Sequence, residues 1–95
     1  MTVAEIQQKL SPLFRAHKVS RAAVFGSVAR GEDVPESDVD VLISLGEPMG
    51  LISFTRFVEE AEKLLGRRVD MVTERGLNKF VRPHILRDLK TIYEG

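Results

Sequence analysis

The order of apolar and polar positions divides the chain into alternating helices and strands. Val3, Ile6, Leu10, Leu13 and Phe14 recur at helical intervals, behind a Thr2/Glu5 pair with capping-box spacing. Ser11-Pro12 is expected to kink or restart that helix. Val19 and then Ala22-Ala23-Val24-Phe25 form an apolar run that reads as a buried strand over residues 20–25, ended by Gly26-Ser27. A short helical turn at residues 28–30 and a loop at residues 31–37 follow. Val39, Val41, Leu42, Ile43 and Leu45 make a second strand over residues 38–45. Leu51, Phe54, Phe57, Val58, Ala61, Leu64 and Leu65 form one stripe of an amphipathic helix over residues 51–65, with Gly66 placed as its C-terminal stop. Residues 68–73 read as a third, short strand. Leu77 to Phe80 suggests a helical turn, and Pro83 opens a last helix carrying Ile85, Leu86, Leu89 and Ile92. Residues 93–95 have no assignment. The order is αβαβαβα.

Ninety-five residues suffice for one domain, residues 1–95, and with 43% hydrophobic residues it needs no staples. The absence of cysteine excludes disulfides, thiolate nucleophiles and Cys-ligated zinc, and the two histidines, His17 and His84, make no ligand pattern alone. No apolar run approaches the length of a membrane span, and no basic-then-apolar leader begins the chain, so a cytoplasmic protein with no membrane partner is expected. Fourteen basic residues balance fourteen acidic ones, which argues against a general binder of nucleic-acid backbone. The distribution is uneven. Between Arg67 and Lys90 seven basic residues face three acidic ones: a solvated helical face, or a surface for an acidic partner or a nucleotide.

Three carboxylates interrupt apolar strand contexts. Asp38 and Asp40 are two apart, so in a strand they share a face; Asp70 lies between Val69 and Met71. Acids in the strands of a small domain are costly unless they are paired or hold a cation, and oxygen ligands without His or Cys favour Mg²⁺ or Mn²⁺. Taken singly, Asp38 also reads as a strand-entry residue and Asp70 as an ion-pair partner of Arg67 or Arg68. Gly26-Ser27, between a strand and a helical turn, offers backbone N–H groups and a hydroxyl to an anion. A phosphate cradle beside a metal cluster describes a site for a nucleoside triphosphate.

Gly26-Ser27, ten residues, then Asp38-Val39-Asp40 gives G-S-x10-D-x-D. This run resembles the signature of the minimal nucleotidyltransferases (MNT) of the DNA polymerase beta superfamily, and Asp70 in Val-Asp-Met-Val resembles the third carboxylate of such enzymes. The resemblance spans essentially the whole chain. It implies an α/β (α+β) core with a small three- to four-stranded mixed sheet. It also implies an antitoxin that transfers AMP from ATP to a tyrosine hydroxyl of a HEPN-family RNase toxin. By position, Asp38 and Asp40 would ligate two Mg²⁺ ions, with Mn²⁺ as a substitute. Asp70 would ligate the nucleophile-side ion or accept the proton of the attacking hydroxyl. Gly26 and Ser27 would bind the outer phosphates. Arg30 would organise the loop or the phosphates, or else pair with Glu32 or Asp33. Direct nucleic-acid binding is not expected, and the oligomeric state stays open. Two alternatives remain: an antitoxin that neutralises by binding alone, and a nucleotidyltransferase acting on a small molecule.

Overall fold

The computed structural model describes residues 1–95. Four strands form one mixed sheet, flanked by helices. In chain order the elements are α1 (Val3–Ala16), β1 (Val19–Phe25), α2 (Gly26–Arg30), β2 (Val39–Leu45), α3 (Leu51–Leu65), β3 (Val69–Thr73), α4 (Arg82–Arg87) and β4 (Lys90–Glu94). The spatial order is β3-β2-β1-β4. β1 pairs antiparallel with β2 and with β4, whereas β3 lies parallel to β2 through the α3 crossover. No helix is long and apolar enough to cross a membrane.

One face of the sheet carries the main core. Val39, Val41 and Ile43 of β2, Ala22 and Val24 of β1 and Val69 and Met71 of β3 pack with Ile6, Leu10 and Phe14 of α1 and Phe57, Ala61 and Leu65 of α3. The pleat sends alternate residues to the other face. Phe25 pairs with Asp40 and Ala23 with Leu42 in the β1–β2 ladder. Ala23 and Leu42 are buried, as is Ile85 of α4, and all three stand outside the main core cluster.

Local signals account for most boundaries. Thr2 Oγ1 accepts a hydrogen bond from Glu5 N at 3.1 Å, and Glu5 Oε1 accepts one from Thr2 N at 3.3 Å, so the capping box forms. Gly66 closes α3 in the left-handed conformation at φ 68°.

Three expectations need correction. α1 does not restart at Pro12 but runs through it. Gln8, whose carbonyl loses the N–H that proline lacks, is solvent-exposed, so no buried hydrogen bond is sacrificed. Leu51 does not join the apolar stripe of α3. It is 81% exposed, because the first turn of α3 extends beyond the core. The last helix ends at Arg87, and residues 90–94 form a fourth strand with Ile92 facing the core. Thr91, Ile92 and Tyr93 favour a pleated, half-buried surface, and β1 gains a neighbour on its second edge. Tyr93 then stacks its ring 5.5 Å from that of Phe14. The helical turn expected at residues 77–80 does form, with Val81 N and Arg82 N both donating to Asn78 O at 3.0 Å, and a separate 3-10 turn, Glu74–Gly76, precedes it.

Candidate active site

The acids gather at the end of the sheet where β2 and β3 begin. In the parallel β2–β3 ladder Asp40 lies directly opposite Asp70. Neighbouring strands run about 4.8 Å apart, so the two carboxylates project side by side from the same face. Asp38 stands at the mouth of β2, one residue before the strand. Asp38 and Asp70 are exposed and Asp40 is half-buried. The alternative reading of Asp70, an ion pair with Arg67 or Arg68, is not realised: neither arginine pairs with it, and Arg67 binds Asp33.

Three contacts hold this arrangement. Val39 N donates to Arg68 O at 2.9 Å, which sets the β2–β3 register. Glu62 Oε2 accepts from Val69 N at 3.0 Å, tying α3 to the start of β3. Arg67 Nη1 donates to Asp33 Oδ2 at 2.8 Å, joining the loop that leads into β2 to the turn that leads into β3. Asp33 and Arg67 are only 10% and 15% exposed. Arg67 holds the Asp33 carboxyl below its ordinary range. The Asp33–Arg67 strut is not legible in the sequence, because residues 34 positions apart announce no pairing.

Gly26 opens α2 with φ +73° and lies against Asp40, where a Cβ would overlap the carboxylate Oδ2. Ser27 follows in the same bend, half-buried. Burial raises the Asp40 carboxyl above its ordinary range, and the charges of Asp70 and Asp38 raise it further; Arg30 alone opposes them. Arg30 itself is bound to Glu32 at 3.1 Å and to Asp88 at 2.9 Å. The pair with Glu32 is one the sequence suggested, and the pair with Asp88 is not.

These residues suit a divalent cation by their chemistry. Asp40 is a half-buried acid whose ionisation is penalised by two acidic neighbours, and the donors are all carboxylate oxygens. The acids are neighbours rather than a ready-made cage: no three His, Asp or Glu side chains stand close enough together to enclose an ion. A cleft of about 790 Å³ lies at the opposite ends of β2 and β3, lined by Ile43, Met49, Phe54 and Met71 among others. It contains none of the three acids, so size does not single out the site here.

Comparison with known proteins bears on this geometry. The family model described as "Nucleotidyltransferase domain" matches residues 3–92. Protein adenylyltransferase MntA of Thermococcus cleftensis is 36% identical over 97 residues, covering 94% of this chain and 94% of that protein. Among solved structures, a toxin-antitoxin crystal structure with AMP-PNP superposes with a TM-score of 0.81 at 20% identity, covering 94% of this chain and 73% of that one. The complex of a tri-AMPylated Shewanella oneidensis HEPN toxin with MNT antitoxin gives a TM-score of 0.76 at 17% identity, covering 99% and 74%. At those identities the two structures speak to the fold, while the family match and the Thermococcus relative speak to descent. With both spanning nearly the whole sequence, the chain belongs to the nucleotidyltransferase domain family and is a minimal nucleotidyltransferase.

Proposed function

We propose that this enzyme transfers AMP from ATP, with Mg²⁺, to a tyrosine hydroxyl of a cytoplasmic HEPN-family RNase toxin and thereby neutralises it. The observation that carries the reading is the in-register pair Asp40–Asp70 beside the Gly26-Ser27 bend. The name of the Thermococcus relative supports a protein acceptor, and the AMPylated toxin complex supports a HEPN partner.

Asp38, Asp40 and Asp70 would hold the cations, which supply charge neutralisation at the phosphates and acidify the attacking hydroxyl when bound. Gly26 and Ser27 hold the outer phosphates through backbone N–H groups and the hydroxyl. Arg30 adds a positive charge near them. The acceptor oxygen forms a bond to the α-phosphorus, the α–β phosphoanhydride bond breaks, and pyrophosphate departs. Asp70 would hold a cation with the other two acids or receive the proton of the acceptor hydroxyl. The exposure of Asp38 and Asp70 leaves room for a folded protein to approach.

The test combines the chain, ATP labelled at the α-phosphate, Mg²⁺ and a HEPN-family toxin protein. The expected result is label and an added AMP mass on that protein, lost with Asp40→Asn while circular dichroism is unchanged. Full transfer by a folded Asp40→Asn variant would remove the metal site. Neutralisation by an Asp38→Ala/Asp40→Ala variant that transfers nothing would show that masking suffices.

A further inference from the structure

Asp88 follows the last turn of α4 and belongs to none of the sequence motifs. Its Oδ2 accepts a hydrogen bond from Arg30 Nη1 at 2.9 Å, across 58 positions of sequence. Glu32 Oε2 accepts from Arg30 Nε at 3.1 Å. A guanidinium carries five N–H donors in one plane. Two are therefore engaged by carboxylates, and the others remain for an oxyanion.

The position of this group matters. Arg30 ends α2, three residues after Ser27, and its charge reaches Asp40. A long exposed arginine ordinarily gives up much rotamer freedom to hold a phosphate. Clamping it beforehand removes that cost at the moment of binding. The two clamping acids differ in firmness. Glu32 lies in an exposed loop and is 65% exposed, whereas Asp88 is 23% exposed. Asp88 is also fixed from both sides: Ile85 is buried just before it, and Lys90 pairs with Val24 of β1 just after it.

We infer that Asp88 is a positioning residue for the nucleotide: it holds the Arg30 guanidinium beside the Gly26-Ser27 bend so that the unused N–H groups meet the triphosphate. This rests on the function proposed above. It makes the segment that joins α4 to β4 part of the nucleotide site, although no atom of Asp88 touches the reacting groups.

The test is calorimetric titration of the full chain with AMP-PNP and Mg²⁺, with thermal melts in parallel. Asp88→Asn is expected to weaken binding about tenfold, since it removes a charge-assisted bond. Asp88→Glu should recover most of the loss. In an Arg30→Ala background Asp88→Asn should cost nothing further, because it acts through Arg30. A purely structural link would lower the melting temperature of Asp88→Asn and leave the dissociation constant unchanged; that result overturns the inference, as does an additive loss in the double variant. Should Asp88→Asn not fold, the unsubstituted protein still decides. Its Arg30 Nη1–H resonance, the one bonded to Asp88, should be resolved without nucleotide and shift on adding AMP-PNP with Mg²⁺, and a signal averaged as in a free arginine overturns the inference. An unsubstituted chain that binds no AMP-PNP with Mg²⁺ overturns the proposed function as well, whereas binding indifferent to Asp88 overturns this inference alone.

Discussion

Gly26 and Asp40 are packed so closely that a Cβ on the glycine would overlap Oδ2 of the aspartate. The backbone there is also left-handed, at φ +73°. Placing a side chain at residue 26 therefore strains the bend and displaces the carboxylate together. The left-handed conformation costs a non-glycine residue about 1–2 kcal/mol. A displacement of about 1 Å in a reacting constellation can cost about 100-fold in rate. Gly26→Ala is expected to lose AMP transfer by about that factor while melting only several degrees lower. Transfer close to that of the unsubstituted chain would mean that Asp40 does not need its observed seat.

Asp40 also predicts a pH dependence of stability. Burial, then Asp70 and Asp38, raise its carboxyl above the ordinary 3.8. The folded state thus binds this proton more tightly than the unfolded one. The stabilisation is fully present below the ordinary value and is lost as pH rises through the folded value. Without divalent cation, Asp40→Asn should therefore melt at or above the temperature of the unsubstituted chain at pH 7. The advantage should vanish below about pH 4.

Added Mg²⁺ should reverse that order. A cation at 100 times its dissociation constant adds about 2.7 kcal/mol to the state that binds it. The melting temperature of the unsubstituted protein should climb with Mg²⁺ concentration, and that of Asp40→Asn should stay nearly flat. Equal shifts in both proteins would place the cation elsewhere.

The Asp33–Arg67 strut has the opposite pH signature. Arg67 lowers the Asp33 carboxyl below 3.8, assisted by the Met1 amine 3.4 Å away and opposed by burial. Its contribution is present above the ordinary value and lost as pH falls through the folded one. Asp33→Asn should melt lower than the unsubstituted chain at pH 7, with the difference closing in acid. A difference that persists unchanged at low pH would mean that the contact does not depend on charge. Because the strut joins the loops leading to Asp40 and Asp70, AMP transfer should fall in the same variant.

Phe57 and Leu51 separate the packed part of α3 from its free end. Phe57 is fully buried, and its removal should cost about 3–5 kcal/mol. Leu51, 81% exposed, should tolerate Leu51→Ser within about 0.5 kcal/mol. Urea midpoints of the two variants check this, and a large loss for Leu51→Ser would reveal a packing contact at that turn.

Much of the fold is legible in local chemistry. The Thr2/Glu5 box, the α3 stripe and Gly66 mark helix boundaries because each acts over a few residues. β4 escapes that logic. Ile85, Leu86, Leu89 and Ile92 fit a helical spacing, yet α4 stops before Leu89 and pairing with the open edge of β1 takes Ile92 into a strand. Leu51 fits its stripe and still faces solvent, because periodicity assigns a face and not what covers it. Of the candidate site, Gly26, Ser27, Asp38, Asp40, Asp70 and Arg30 all stand out in the sequence by residue type and spacing, but their mutual placement does not.

By itself, the sequence determined the elements and the residue types offered to a site: carboxylates in two strands, a glycine-serine bend and an arginine after it. Those depend on propensities and spacings that a short window contains. The tertiary structure alone decided that Asp40 faces Asp70, that Asp33 takes Arg67 away from Asp70, and that Asp88 reaches back to Arg30. Such pairings depend on strand register and loop closure over tens of residues, where the competing partners of a charge are chosen by packing and not by proximity in the chain.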